Sequence, residues 1–272
     1  MTFWQSVLAF LDRSMETPVS FGWFHLLWLA ITFLALIPLC RFPKKPSEDH
    51  VRRVVLVTAI IVTVLEIYKQ INYSFSYENG IVFDYQWYAF PFQFCSTPMY
   101  IGLLAGLTKK GKVHESLCAY LATYAMFAGL AVMIYPNDVF IPTIGINIQT
   151  MICHGSMITI GIYLFASGYV KLEHKTILKA MPVFAVTVSI AAVMNEIAYW
   201  VGLLETETFN MFFISPHCDP SLLVYSEVQK AVPFPFCLII YILGFTAAAY
   251  VVLLLAMGIG ALIRKTRPAV TA

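Results

Sequence analysis

The chain has little charge: Asp, Glu, Lys and Arg together make 12% of its 272 residues, about half the share usual in a soluble domain. It lacks a polar stretch long enough to fold as a soluble domain, the longest polar connection running from about Leu204 to Val232. Six cysteines are present (Cys40, Cys95, Cys118, Cys153, Cys218, Cys237), but with neither CxxC spacing nor a His/Cys zinc pattern, so most read as small packing residues in helices. No basic face with interleaved aromatics exists, which excludes nucleic acid as an expected partner. No Lys/Arg-rich segment precedes the first apolar stretch, so a cleaved signal peptide is not expected. Neither a metal nor another cofactor is called for. What the chain does have is apolar side chains, at 60% of all residues, and a mean hydropathy of +0.77. That composition belongs to a polytopic membrane protein, all-α, forming one transmembrane domain over residues 1–272.

Seven apolar stretches approach or exceed the roughly 20 residues that cross a bilayer core: 21–40, 51–71, 88–107, 113–134, 146–170, 176–201 and 233–263. Pro91 and Pro98 interrupt the third and should kink or break its helix. Before the first span, Thr2–Leu11 reads as a short amphipathic helix lying on the surface. Of the 17 Lys and Arg residues, fourteen fall in alternate connections: Arg41, Lys44, Lys45, Arg52 and Arg53; Lys109, Lys110 and Lys112; Lys171, Lys175 and Lys179; Arg264, Lys265 and Arg267. The positive-inside rule then places the N-terminus outside and the C-terminus in the cytoplasm.

Against this background a few polar residues stand out, because a charge at the centre of a membrane helix costs roughly 2.5–3.5 kcal/mol on insertion scales. They are His25, Glu66, Lys69, Cys95, His154, Asn195 and Glu196. At about 1.5 Å of rise per residue, His25, Glu66, Cys95, His154 and Glu196 fall roughly 6–12 Å below the outer surface, so five spans point polar chemistry at one layer. Glu66 and Lys69, three apart, share a helix face and can pair, either as a neutralised structural pair or to orient a ligand head group. Cys95 and His154 together suggest nucleophilic chemistry, since an imidazole can supply the base a thiol needs. Glu196 needs a partner, with Lys69, His25 and His154 as candidates. Asn195 could equally be an interhelical hydrogen-bonding residue. His25 has an ordinary alternative as a residue of the aromatic belt, and Pro216-His217-Cys218-Asp219-Pro220 reads as a loop rather than a metal site. The longer outer connections, Asn72–Trp87 and Leu204–Val232, could cover the site as lids.

In order and spacing these motifs resemble the YwaF-type integral membrane proteins of Gram-positive bacteria, relatives of the eukaryotic transmembrane protein 164 acyltransferase. The matching pieces are His25, Leu65-Glu66-x-x-Lys69, Pro91-Phe92-Gln93-Phe94-Cys95-Ser96, His154-Gly155-Ser156, Asn195, Asn210-Met211-Phe212-Phe213 and Pro233–Phe236. The chain departs from the bacterial pattern at Gln93, where a His is common, and from the eukaryotic one, whose Cys directly follows the Pro, at Phe92. The resemblance implies a seven-span fold in the bacterial cytoplasmic membrane and a cysteine-dependent transfer of acyl chains between membrane phospholipids. Cys95 would be the nucleophile and His154 the base, while Glu66, Lys69 and Asn195 would shape the site or bind the head group; His25, Gln93, Glu196 and Asn210 complete the candidate set. The rival expectation is a binding protein or transporter for a small amphiphile or ion, using the same polar cluster without covalent chemistry. Against a carrier, no inverted repeat is visible.

Overall fold

The computed structural model describes residues 2–41, 46–218 and 222–266; Lys44, Lys45, Asp219, Pro220 and Arg267 lie outside them. Thr2 opens the first helix, α1 (Phe3–Leu11), with a reciprocal cap. Its hydroxyl accepts from the Gln5 N–H, and the Gln5 side chain accepts from the Thr2 N–H. Phe3, Trp4 and Phe10 remain exposed, as in a helix lying along a membrane surface. Helix α2 (Trp23–Arg41) follows, then α3 (Glu48–Asn72). Ser47 caps α3, and Glu48 and Asp49 set negative charge in its first turn, where the helix dipole favours it.

A small antiparallel hairpin comes next: β1 (Phe75–Ser76) and β2 (Val82–Phe83), with Phe75 opposite Phe83 and Ser76 opposite Val82. The stretch expected as the third span is not one helix. It is a 3₁₀ turn at Trp87–Ala89, a run of turns, and the 11-residue helix α4 (Thr97–Leu107). Pro91 lies within the non-helical run. Pro98 sits in the first turn of α4, where a missing N–H leaves no bond unmade.

Helix α5 (Lys112–Tyr120) passes through a single π turn (Leu121–Ala125) into α6 (Met126–Ile134). The remaining helices are α7 (Ile144–Ala166), α8 (Lys175–Trp200), α9 (Leu223–Ala231) and α10 (Phe234–Thr266). Among the described residues six helices are long and apolar enough to cross a membrane: α2, α3, the continuous α5–α6, α7, α8 and α10. The protein is a multi-pass helical membrane protein.

Helix α7 is the central one, with 78% of its apolar window buried against 17% for α2. Small residues let its neighbours approach. A Cβ on Gly155 would stand 2.5 Å from the Thr32 hydroxyl of α2, and one on Gly129 of α6 would stand 2.7 Å from the His154 carbonyl oxygen. Two glycines thus bring α2 and α6 against α7 at the level of His154.

Candidate functional site

On α3, Val51, Val55, Ala59, Val62 and Glu66 form one buried stripe, at the spacing of a single helix face. The stripe packs against α4 and α7, so Glu66 arrives in the interior because its helix face does. A buried carboxylate needs partners, and Glu66 has three. Lys69 Nζ lies 3.0 Å from Oε1, Gln70 Nε2 donates to Oε1 at 2.8 Å, and Gln149 Nε2 of α7 donates to Oε2 at 3.1 Å. Gln70 also donates to the Ala89 carbonyl at 2.9 Å and accepts from the Tyr85 hydroxyl at 2.6 Å. The cluster therefore ties α3 to α7 and to the loop that leads to Cys95.

Tyr85 lies in the connection outside the spans. Burial and the nearby charge of Glu66 push its hydroxyl up to about 12, so it remains a neutral donor to Gln70 at ordinary pH.

Cys95 stands just before α4, in a turn closed by the Ser96 and Thr97 N–H groups donating to the Gln93 carbonyl at 2.9 and 3.0 Å. Phe94, next to it, is locked among Phe184, Phe212 and Phe245 with ring centroids 5.2–5.8 Å apart. From α7, the Cys153 thiol donates to the Cys95 carbonyl at 3.8 Å. Lys69 lies close enough to act electrostatically on both Cys95 and His154.

His154 is 5% exposed. Its Nδ1 lies 2.8 Å from the Thr150 carbonyl oxygen, which can only accept, so Nδ1 carries the proton and Nε2 presents a bare lone pair. That Nε2 is buried and has no hydrogen-bond partner. It makes no hydrogen bond to Cys95.

The other candidates sit elsewhere. His25 accepts from the Phe21 N–H through Nδ1 at 2.8 Å, and its Nε2 lies 2.9 Å from the Met133 carbonyl. Both nitrogens are used in pinning the start of α2 to the end of α6. Gln93, Asn195 and Asn210 form a clasp. Asn195 brackets Met211, accepting from its N–H at 2.7 Å and donating to its carbonyl at 3.0 Å. Gln93 donates to the Asn210 carbonyl at 3.1 Å and accepts from the Phe212 N–H at 2.9 Å, while the Asn210 side chain accepts from the Ser215 N–H at 2.9 Å. The clasp holds Phe212 and Phe213 at φ of 58° and 56°, a region non-glycine residues seldom adopt and keep only when the surroundings enforce it.

Glu196 does not meet Lys69, His25 or His154. Its partner is His217, whose Nε2 lies 3.1 and 3.2 Å from its two oxygens and whose ring stacks on Tyr199 at 3.6 Å. Helix α8 turns Glu196 to the rim while Asn195, one residue earlier, faces inward. Pro216 to Cys218 form turns, and among the described residues no group of three His, Cys, Asp or Glu side chains could hold a metal. Sequence reasoning left Gln70, Gln149, Tyr85 and Cys153 out of the candidate set. Gln149 and Cys153 were within reach of it, since they stand four apart on one face of a helix and His154 follows directly.

Residues 20–259 match the model of a family described as the TMEM164 family. No curated protein and no solved structure matches the chain.

Proposed function

The chain belongs to the TMEM164 family, and from that premise we propose that it is a lipid-modifying enzyme that moves acyl chains on phospholipid through Cys95 and His154. The observation that carries this reading is the buried Nε2 of His154, bare and unpartnered one residue after Cys153, whose thiol donates to the Cys95 carbonyl. An imidazole lone pair kept dry without a partner is disfavoured, and a base held ready for an incoming proton is a use for it.

In the reaction Nε2 takes the Cys95 proton as the thiolate attacks the ester carbonyl of a phospholipid. The acyl C–O bond breaks, the leaving glycerol oxygen takes the proton from His154, and the acyl group stays on Cys95 as a thioester. A lysophospholipid hydroxyl or water then attacks the thioester, with the same imidazole accepting its proton; the C–S bond breaks, and the departing Cys95 sulfur takes that proton back from His154. Cys95 stands just before α4, at the end where the helix dipole is positive. The ion pair with Glu66 occupies one of the three Lys69 N–H donors, leaving two for a phosphate or carbonyl oxygen. Glu66, held by Gln70 and Gln149, fixes that ammonium.

The membrane arrangement belongs to the same reading. The loop and helix from Trp87 to Leu107 complete a seventh crossing, the N-terminus is outside, the C-terminus is cytoplasmic, and the site lies in the outer half of the bacterial cytoplasmic membrane. Phospholipid reaches such a site sideways, without crossing water.

The test is labelling of the protein in lipid vesicles with a short alkyl iodoacetamide, mapped by mass spectrometry, beside His154→Ala and Lys69→Met. Cys95 should react faster than Cys118 and Cys237, and both substitutions should slow it by about tenfold or more. Cys95 reacting no faster than the two buried helix cysteines, or indifferent to His154, would remove the covalent mechanism.

A further inference from the structure

Between the starts of α5 and α8 lies a pocket of about 380 Å³ that the chemistry above does not use. Lys110, Lys171 and Lys179 line it together with Glu115, Glu173 and Thr176. Thr176 stands in the first turn of α8, and Asn195 lies near the other end of the same helix. The two are separated by roughly 28 Å of helix, and it is Asn195 that meets the loop before Cys95 through the clasp. A small group held beside Thr176 is therefore remote from Cys95.

The chain itself fixes the walls. After α7, Gly168 takes a φ of 72°, a conformation that suits glycine, and the Val170 N–H returns to the Leu164 carbonyl at 3.0 Å. The Tyr169 hydroxyl lies 2.7 Å from Nε2 of the buried His114 on α5, and the Thr176 hydroxyl donates to the Lys171 carbonyl at 2.7 Å. Lys171 is thus carried by a loop pinned on both sides of it, to α5 and to α8. Lys110 is tied to the start of α3, its N–H donating to the Glu48 carboxylate at 3.1 Å. A cavity whose lysines stand on anchored backbone costs a ligand little ordering.

Its charges do not cancel. Three ammonium groups face two carboxylates, and of these Lys179 and Glu115 pair at 2.8 Å. Among the described residues no ion pair engages the ammonium of Lys110 or Lys171. Helices α5 and α8 both begin at this end, and neither start has a side-chain cap, so two positive helix ends add to the lysine charge. Basic pockets between membrane helices are where phosphate head groups bind. A phosphate monoester, with nearly two negative charges near neutral pH, matches the excess better than a zwitterionic head group, which brings a cation of its own.

We infer that this pocket is a second binding site, separate from the Cys95 layer, and that it holds a phosphate monoester, free or at the head of an anionic lipid. Lys110 and Lys171 bind the phosphate, and Lys179 is shared between it and Glu115. The inference does not depend on the acyl-transfer reading. Its test is titration of the purified full-length protein in detergent with dioctanoyl phosphatidic acid and dioctanoyl phosphatidylcholine, bound lipid being followed by native mass spectrometry. Lys110→Gln/Lys171→Gln should weaken phosphatidic acid about twentyfold or more and leave phosphatidylcholine unchanged. Both lysines are exposed, so the fold tolerates their loss.

Glu115→Gln gives the opposite sign: it frees Lys179 and should tighten phosphatidic acid. Arg53→Gln, at an exposed position on the first turns of α3 and outside the pocket, should change nothing. Inorganic phosphate is then added as a competitor. If it displaces phosphatidic acid, the phosphate alone is the ligand; if it does not while the lysine dependence holds, the pocket reads a lipid head group. Phosphatidic acid indifferent to both the lysine pair and Glu115, or weakened as much by Arg53→Gln as by the lysine pair, would overturn the inference and leave only diffuse attraction to a basic surface.

Discussion

Removing the Glu66 carboxylate alone should harm the protein more than removing it together with Lys69. In Glu66→Leu the Lys69 ammonium, with its side chain 17% exposed, loses its counter-ion, and Gln149 loses its acceptor; Gln70 still has the Ala89 carbonyl. Breaking a buried pair from one side costs about 3–5 kcal/mol, and an orphaned buried amide about 1–3 kcal/mol. Both losses flow from one carboxylate and do not add in full, so the single substitution should cost about 4–6 kcal/mol. Lys69→Met leaves Glu66 with two amide donors and should cost about 3 kcal/mol. The double variant Glu66→Leu/Lys69→Met buries no lone charge and retains chiefly the Gln149 penalty of about 1–3 kcal/mol. Thermal unfolding in detergent, followed by loss of monodisperse protein, gives the order: wild type above the double variant, with Glu66→Leu lowest. If the double variant melts below both single variants, the two charges do not compensate each other and the account of the cluster is wrong. Labelling of Cys95 in the double variant adds a second readout, since stability recovers there while the two spare Lys69 donors do not return.

The clasp around Phe212 gives a second expectation. Asn195→Leu strips partners from the Met211 N–H and carbonyl, should cost about 2–4 kcal/mol, and should expose the 206–217 connection to early cleavage in limited proteolysis; unchanged protection would refute the clasp. Tyr85 gives a dependence on pH. Because the folded chain holds its hydroxyl proton up to about 12, against 10.0 ordinarily, its contribution is intact below about pH 10 and is lost as pH rises toward 12. Tyr85→Phe should flatten that part of the stability profile, and an identical alkaline decline in the variant would show that another group is responsible.

Lys and Arg placement and span lengths give each polar residue an expected depth in the membrane, but depth is one coordinate of three. Glu66 and Lys69 pair as their three-residue spacing predicts, but α3 is apolar on all its faces, with Val57, Ile60, Ile61 and Val64 exposed, so which face is buried is not declared by its composition. Nor does any apolar stripe assign Glu196. It follows Asn195 by one residue, a rotation of about 100° on a helix, and that rotation carries it from the buried clasp to the rim with His217. His25 lies at the expected end of α2, yet both of its nitrogens are taken by backbone groups, and one of these, the Met133 carbonyl, lies 108 positions away in the chain. Long-range backbone partners of this kind leave no trace in composition or periodicity. Two polar residues at equal depth are therefore a site only when their helix faces converge. Cys95 comes beside α7 through a different signal: proline at 91 denies the chain a helix there, and the resulting turn sets the Cys95 carbonyl where it accepts from Cys153, the residue before His154.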